Sequence, residues 1–293
     1  MQPVAIAIAM AGLSLAKQTP ISIAAVKQPS LEKAMSQPAS PTLFPPAGRN
    51  KVPEVTAFFW IIKMMSTTVG ETAADYLNVN LGLGLANTSA VTGLLLAVAL
   101  FFQMRAKRYV PSLYWTSVLL ISVFGTLITD NLSDRLGVPL SVSTTAFSLA
   151  LIATFAVWHA REGTLSIRAI DTVRRECFYW AAILFTFALG TAAGDWVAEG
   201  LGLGYGYSAL LFGGLIGAIA LARYAFRADT VACFWLAYVL TRPFGASCGD
   251  LMSQSVQDGG LGLGTAGTSA MFLATIVGLV IYLSLAQKRL VNS

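Results

Sequence analysis

"GTAAGDWVAEGLGLG" runs from Gly190 to Gly204 and directly follows "FYWAAILFTFAL", Phe178 to Leu189. The upstream stretch reads as membrane-spanning helix. It nevertheless ends on Asp195 and Glu199, in a chain with only 14 carboxylates. The arrangement recurs. The other copies are "KMMSTTVGETAADYL" (Lys63–Leu77), "SVFGTLITDNLSDRL" (Ser122–Leu136) and "RPFGASCGDLMSQSV" (Arg242–Val256). The aligned acids are Glu71, Asp130, Asp195 and Asp250, spaced by 59, 65 and 55 residues. Three copies close on "LGLG" (Leu81–Gly84, Leu201–Gly204, Leu261–Gly264), and the second on "LGVP" (Leu136–Pro139).

The 293 residues are 56% hydrophobic and 11% charged, against roughly 25% charged in a soluble domain. About 20 apolar residues cross a bilayer as a helix. Eight stretches qualify: 55–78, 87–104, 112–134, 140–160, 176–199, 206–224, 230–255 and 266–287. Their continuous rather than alternating hydrophobicity argues against a β-barrel. The expected fold is an all-α integral membrane protein, with eight transmembrane helices as four parallel two-helix repeats. The repeats fall at about 54–110, 111–175, 176–228 and 229–287, within a domain of residues 51–293. Residues 1–50, rich in Ala, Pro, Ser and Gln, are expected to be a disordered or signal-like extension. Ala5–Ala16 is its apolar segment.

The net charge of +5 is explained by placement and implies no nucleic-acid partner. Of the 15 Lys and Arg from residue 51 on, 12 flank one set of helix ends, including Arg105, Lys107, Arg161, Arg174, Arg175 and Arg223. The opposite turns carry only Arg135. The positive-inside rule then puts both termini of a multi-pass membrane protein in the cytoplasm. Trp60, Trp115, Trp180 and Trp235, near the first-helix starts, read as interfacial anchors.

Residues four apart share a helix face. Each copy therefore carries a polar stripe. Copy one has Lys63, Thr67, Glu71 and Asp75; copy two Ser122, Thr126, Asp130 and Asp134; copy three Phe187, Thr191, Asp195 and Glu199; copy four Arg242, Ala246, Asp250 and Gln254. Beside each stripe lies a small pair: Ser66/Gly70, Gly125/Thr129, Gly190/Gly194 and Gly245/Gly249. Such pairs let helix backbones approach closely, which should bring stripes from different copies together. Lys63 and Arg242 fall near mid-membrane, where a bare cation costs at least about 2.5–3.5 kcal/mol. Each needs a partner, and another copy supplies one as readily as its own helix. Ser and Thr in "NTSA" (Asn87–Ala90), "STTA" (Ser143–Ala146) and "GTSA" (Gly267–Ala270) are expected to cap the second helices.

Carboxylates on small-residue helices mark ion or proton routes, and oxygen-only ligands suit hard cations. One histidine and three scattered cysteines disfavour a soft-metal site. The expected function is transport of a hard cation, a metal ion or a proton-coupled one, with a divalent ion as substrate. Glu71, Asp130, Asp195 and Asp250 are the expected ligands. Asp75, Asp134 and Glu199 form an outer vestibule with Thr67, Thr126 and Thr191, and Lys63 and Arg242 are internal counter-charges. The partners are the bilayer and a small inorganic ion. The alternative is a structural or sensory protein whose acidic stripe is an inter-repeat polar network. Paired carboxylates alone permit acid–base chemistry, but no nucleophile, phosphate cradle or zinc motif accompanies them, so no enzyme is expected.

"KMMSTTVGETAADYL" and "GTLITDNLSD" resemble a bacterial membrane-protein family built from a tandem repeat of unknown function, labelled "uncharacterised membrane-anchored protein". The resemblance covers roughly 54–287. It implies a four-repeat integral membrane protein.

Overall fold

The structure, a computed structural model, describes residues 50–292. The expected N-terminal extension, with its Ala5–Ala16 segment, lies outside the described residues except for Asn50.

The apolar stretches form eight long helices among the described residues: α1 (Ala57–Asp75), α2 (Gly84–Arg105), α3 (Pro111–Asp130), α4 (Leu140–Glu162), α5 (Val173–Asp195), α6 (Tyr205–Ala225), α7 (Thr230–Ser253) and α8 (Thr265–Asn292). No strand occurs among the described residues. Helix starts follow local chemistry. The side chains of Thr56, Thr172 and Asp229 accept hydrogen bonds from the backbone N–H groups of Phe59, Arg175 and Ala232, and Pro111 opens α3, where its missing N–H costs nothing. Seven of the helices are long and apolar enough to cross a membrane. The exception is α1, which carries Lys63, Glu71 and Asp75 within 19 residues. The described residues are all-helical, and their apolar helices make this a multi-pass membrane protein.

At the far end of α1, α3 and α5 the helix loosens into one π-turn, over Tyr76–Asn80, Asn131–Arg135 and Trp196–Gly200. The "LGLG" tails then turn the chain into the second helices. Both glycines of each take positive φ: +65° and +74° at Gly82 and Gly84, +69° and +75° at Gly202 and Gly204, and +72° and +74° at Gly262 and Gly264. Only Gly enters that region without penalty. In the "LGVP" tail of the second repeat Gly137 alone does so, and Pro139 precedes α4 instead.

The four first helices, α1, α3, α5 and α7, form a closed central ring. Each packs on the next, and α7 returns to α1. They run parallel. Phe59 near the start of α1 meets Trp115 of α3 and Tyr238 of α7, while further along Thr68 Oγ1 donates to Gly245 O at 3.2 Å. The small residues make the seams. A Cβ on Gly70 would overlap Ser122, one on Gly125 would overlap Phe187, one on Gly190 Arg242, and one on Gly245 Thr67. Each first helix thus presents its glycine to the next repeat, as small-xxx-small packing requires.

The second helices lie outside the ring and pack mainly on a neighbouring repeat rather than on their own partners. Thus α2 packs on α3, α4 on α5, α6 on α7 and α8 on α1. The expected hairpin is therefore a sequence unit, not a packing unit. The Ser and Thr expected as caps show why. They sit about a turn inside the second helices, and two of them reach across to the next repeat: Asn131, in the π-turn after α3, donates to Ser89 of α2 at 2.8 Å, and Thr72 of α1 pairs with Ser269 of α8 at 2.6 Å. The capping expectation is corrected accordingly. So is that for three of the tryptophans. Trp115, Trp180 and Trp235 are at most 5% exposed and pack with Tyr114, Tyr179 and Tyr238, because parallel ring helices turn these positions inward rather than toward lipid.

Candidate axial cation site

The predicted stripes meet on the ring axis. Thr126 and Thr191 approach to 3.5 Å, and Thr126 Oγ1 donates to Glu71 Oε2 at 3.3 Å. The site is built as layers of four, one side chain per repeat. From the basic end outward they are Lys63/Ser122/Phe187/Arg242, then Thr67/Thr126/Thr191/Ala246, then Glu71/Asp130/Asp195/Asp250, then Asp75/Asp134/Glu199/Gln254.

Arg242 ties the layers together. Its side chain is fully buried, and its five-donor fork is spread over the other three repeats. Nη2 donates to Glu71 Oε2 at 2.8 Å and to Thr191 Oγ1 at 2.7 Å, and also to Thr126 Oγ1. Nη1 donates to Thr67 O at 2.6 Å and Nε to Phe187 O at 3.4 Å. The partner Arg242 takes, Glu71, belongs to another copy. Gly190 makes the space: a Cβ there would overlap the Arg242 stem.

Three of the four first-rank acids converge. Glu71, Asp195 and Asp250 each offer a carboxylate oxygen within 4.8 Å of the other two. Glu71 and Asp250 are buried and Asp195 half-buried. Asp130 is half-buried as well and stands outside this group. Among the described residues the carboxylates of Asp195 and Asp250 make no hydrogen bond. Exposure rises outward. Asp75 is half-buried, whereas Asp134 and Glu199 are exposed, held by Ser133 at 2.7 Å and Tyr205 at 3.0 Å. The fourth outer position, Gln254, lies past the end of α7 in extended backbone.

Lys63 departs from expectation. It is fully buried, and among the described residues its Nζ has no hydrogen-bond partner. It lies 4.5 Å from the Phe187 ring centroid and 4.4 Å from that of Tyr238. The counter-charge role expected of it goes to aromatic faces, a cation–π arrangement. The guanidinium of Arg242, from the same layer, already holds Glu71. Beneath Lys63, Phe59, Tyr114, Tyr179 and Tyr238 close the axis, with the Tyr114 and Tyr179 hydroxyls 2.5 Å apart.

One polar cluster lies outside the expectations drawn from sequence. Lys51 Nζ pairs with Glu176 at 2.7 Å and donates to Met104 O at 2.8 Å, and Gln103 donates to the same carboxylate at 3.3 Å. In the sequence Lys51 reads only as one of the basic flanking charges. The sole signal is Glu176, an acid among the basic residues at the start of α5.

The family model described as a repeat of unknown function, DUF347, matches the chain four times, over residues 58–109, 113–164, 178–229 and 233–289. No curated protein and no solved structure matches the chain.

Proposed function

The chain belongs to the DUF347 family of repeats of unknown function, and on that premise we propose that it transports a hard cation across the bacterial inner membrane. The observation that carries the reading is the meeting of Glu71, Asp195 and Asp250, from three repeats, within 4.8 Å on the ring axis. Acids of this kind face a bundle interior or a water-filled cavity and mark ion pathways. Their oxygens suit Mg²⁺, Mn²⁺ or Ca²⁺. All four repeats cross the bilayer with both helices, giving eight spans. The polar α1 crosses too, because protein surrounds it. The basic ends face the cytoplasm, as do both termini. The outer acids Asp75, Asp134 and Glu199 then form an entrance from the far side, and the aromatic layer closes the cytoplasmic half. Parallel repeats around one site are compatible with alternating access.

The test is divalent-cation flux into proteoliposomes. Asp195→Asn and Asp250→Asn are expected to lower the flux at least about tenfold while the protein stays folded. Wild-type flux no greater than in protein-free liposomes refutes the transport reading, and unchanged flux in both variants refutes the axial acids as its route. A second reading, a static inter-repeat brace, has its own support in Arg242, whose bonds reach every other repeat. That reading expects large stability losses on neutralising the acids and no flux in the wild type.

A further inference from the structure

We propose that Arg242 is the residue that sets the charge selectivity of the axial site, tuning three carboxylates for one divalent cation. The inference rests on the transport site described above and names its substrate class. Glu71, Asp195 and Asp250 together bring three negative charges when ionised. Arg242 brings one positive charge that proteins do not titrate away. It is bound to Glu71 Oε2, not merely nearby. Counting the three grouped acids and Arg242, with Asp130 outside the group, the balance is two negative charges, which one divalent ion neutralises. A monovalent ion leaves the site negative, and a trivalent ion leaves it positive.

The placement of Arg242 is built, not incidental. Its carbonyl acceptors come from α1 and α5, its hydroxyl acceptors from α3 and α5, and Gly190 leaves room for its stem. A guanidinium so anchored is a fixed charge. Asp250 supplies an independent sign of a missing ligand. It is only 8% exposed, and its carboxylate has no hydrogen-bond partner among the described residues, yet it lies beside two other acids. A buried, unpaired carboxylate is costly, and a bound cation removes that cost. Lys63 is not a partner of the three acids: its Nζ makes no hydrogen bond among the described residues and faces the rings of Phe187 and Tyr238.

The experiment measures Mn²⁺ and Tb³⁺ binding to the purified full chain in nanodiscs by calorimetry. The wild type is expected to bind one Mn²⁺ per chain. In Arg242→Gln the ratio of Tb³⁺ to Mn²⁺ affinity is expected to rise about tenfold or more, since one unit of local charge has been removed. Arg242→Lys, which keeps the charge, is expected to retain the wild-type ratio. Glu71→Gln, which keeps the arginine, is expected to move the ratio the other way. It also serves as the test should Arg242→Gln not fold. Proportional weakening of both ions with an unchanged ratio, in Arg242→Gln or in Glu71→Gln, overturns the proposal but leaves the site standing. Absence of saturable Mn²⁺ binding to the wild type, or binding indifferent to Asp195→Asn and Asp250→Asn, removes the site itself and the proposal with it.

Discussion

The Glu71–Arg242 pair offers the sharpest test of the ring. Glu71→Gln leaves a guanidinium at the centre of the bundle with no exposure. Breaking a buried pair by removing one partner costs roughly 3–5 kcal/mol, because the other charge stays uncompensated. Arg242 would keep its bonds to Thr67 O, Thr191 and Thr126, and Asp195 and Asp250 stand within 4.8 Å of the altered group. The lower end, about 3 kcal/mol, is therefore expected. At roughly 2–4 °C per kcal/mol for a chain of this size, the melting temperature should fall by about 6–12 °C. Arg242→Met should cost a similar amount, since it leaves Glu71 with Thr126 alone beside two like charges. The double variant restores neutrality. Its loss should be smaller than the sum of the singles by about 1–3 kcal/mol. Thermal unfolding in nanodiscs, followed by tryptophan fluorescence, reads all four proteins, because Trp115, Trp180 and Trp235 are buried around the same axis. Strict additivity, or a Glu71→Gln loss below about 1 kcal/mol, would falsify the claim that this pair holds the ring together.

The packing carries three more expected outcomes. Gly190→Ala should destabilise by about 1–3 kcal/mol, because its Cβ overlaps the Arg242 stem, whereas Gly214→Ala, where nothing lies within 4 Å, should be neutral or slightly stabilising, both read as melting temperature. Lys63→Met should cost less than about 1 kcal/mol in the same assay, as no hydrogen bond among the described residues is lost and the volume is kept. Glu176→Gln should cost about 3 kcal/mol by leaving Lys51 Nζ without its carboxylate, and Lys51→Met/Glu176→Gln should recover part of that loss.

The axial site is half legible in the sequence. The stripe from Lys63 to Asp75 and its three copies can be read because four-residue spacing on a helix is a local fact, whereas the sequence leaves Arg242's own helix and another copy equally open as the source of its partner, which is Glu71. The four acids, however, look equivalent as sequence, and only three come together. Nothing in the sequence near Asp130 explains its exclusion. Lys63 reads as a second arginine-type counter-charge, but Arg242 takes Glu71 and the Lys63 Nζ sits against rings.

The sequence by itself determined the repeat, the helical spans, the polar stripe and the glycine seam, since bilayer thickness, helix pitch and the φ freedom of glycine act within one segment. The tertiary structure alone decided the order of the ring, the docking of each second helix on the following repeat, and the choice of Glu71 as the acid Arg242 holds. Those outcomes depend on which small-residue face meets which neighbour. Four nearly identical faces carry no local feature that ranks one meeting above another.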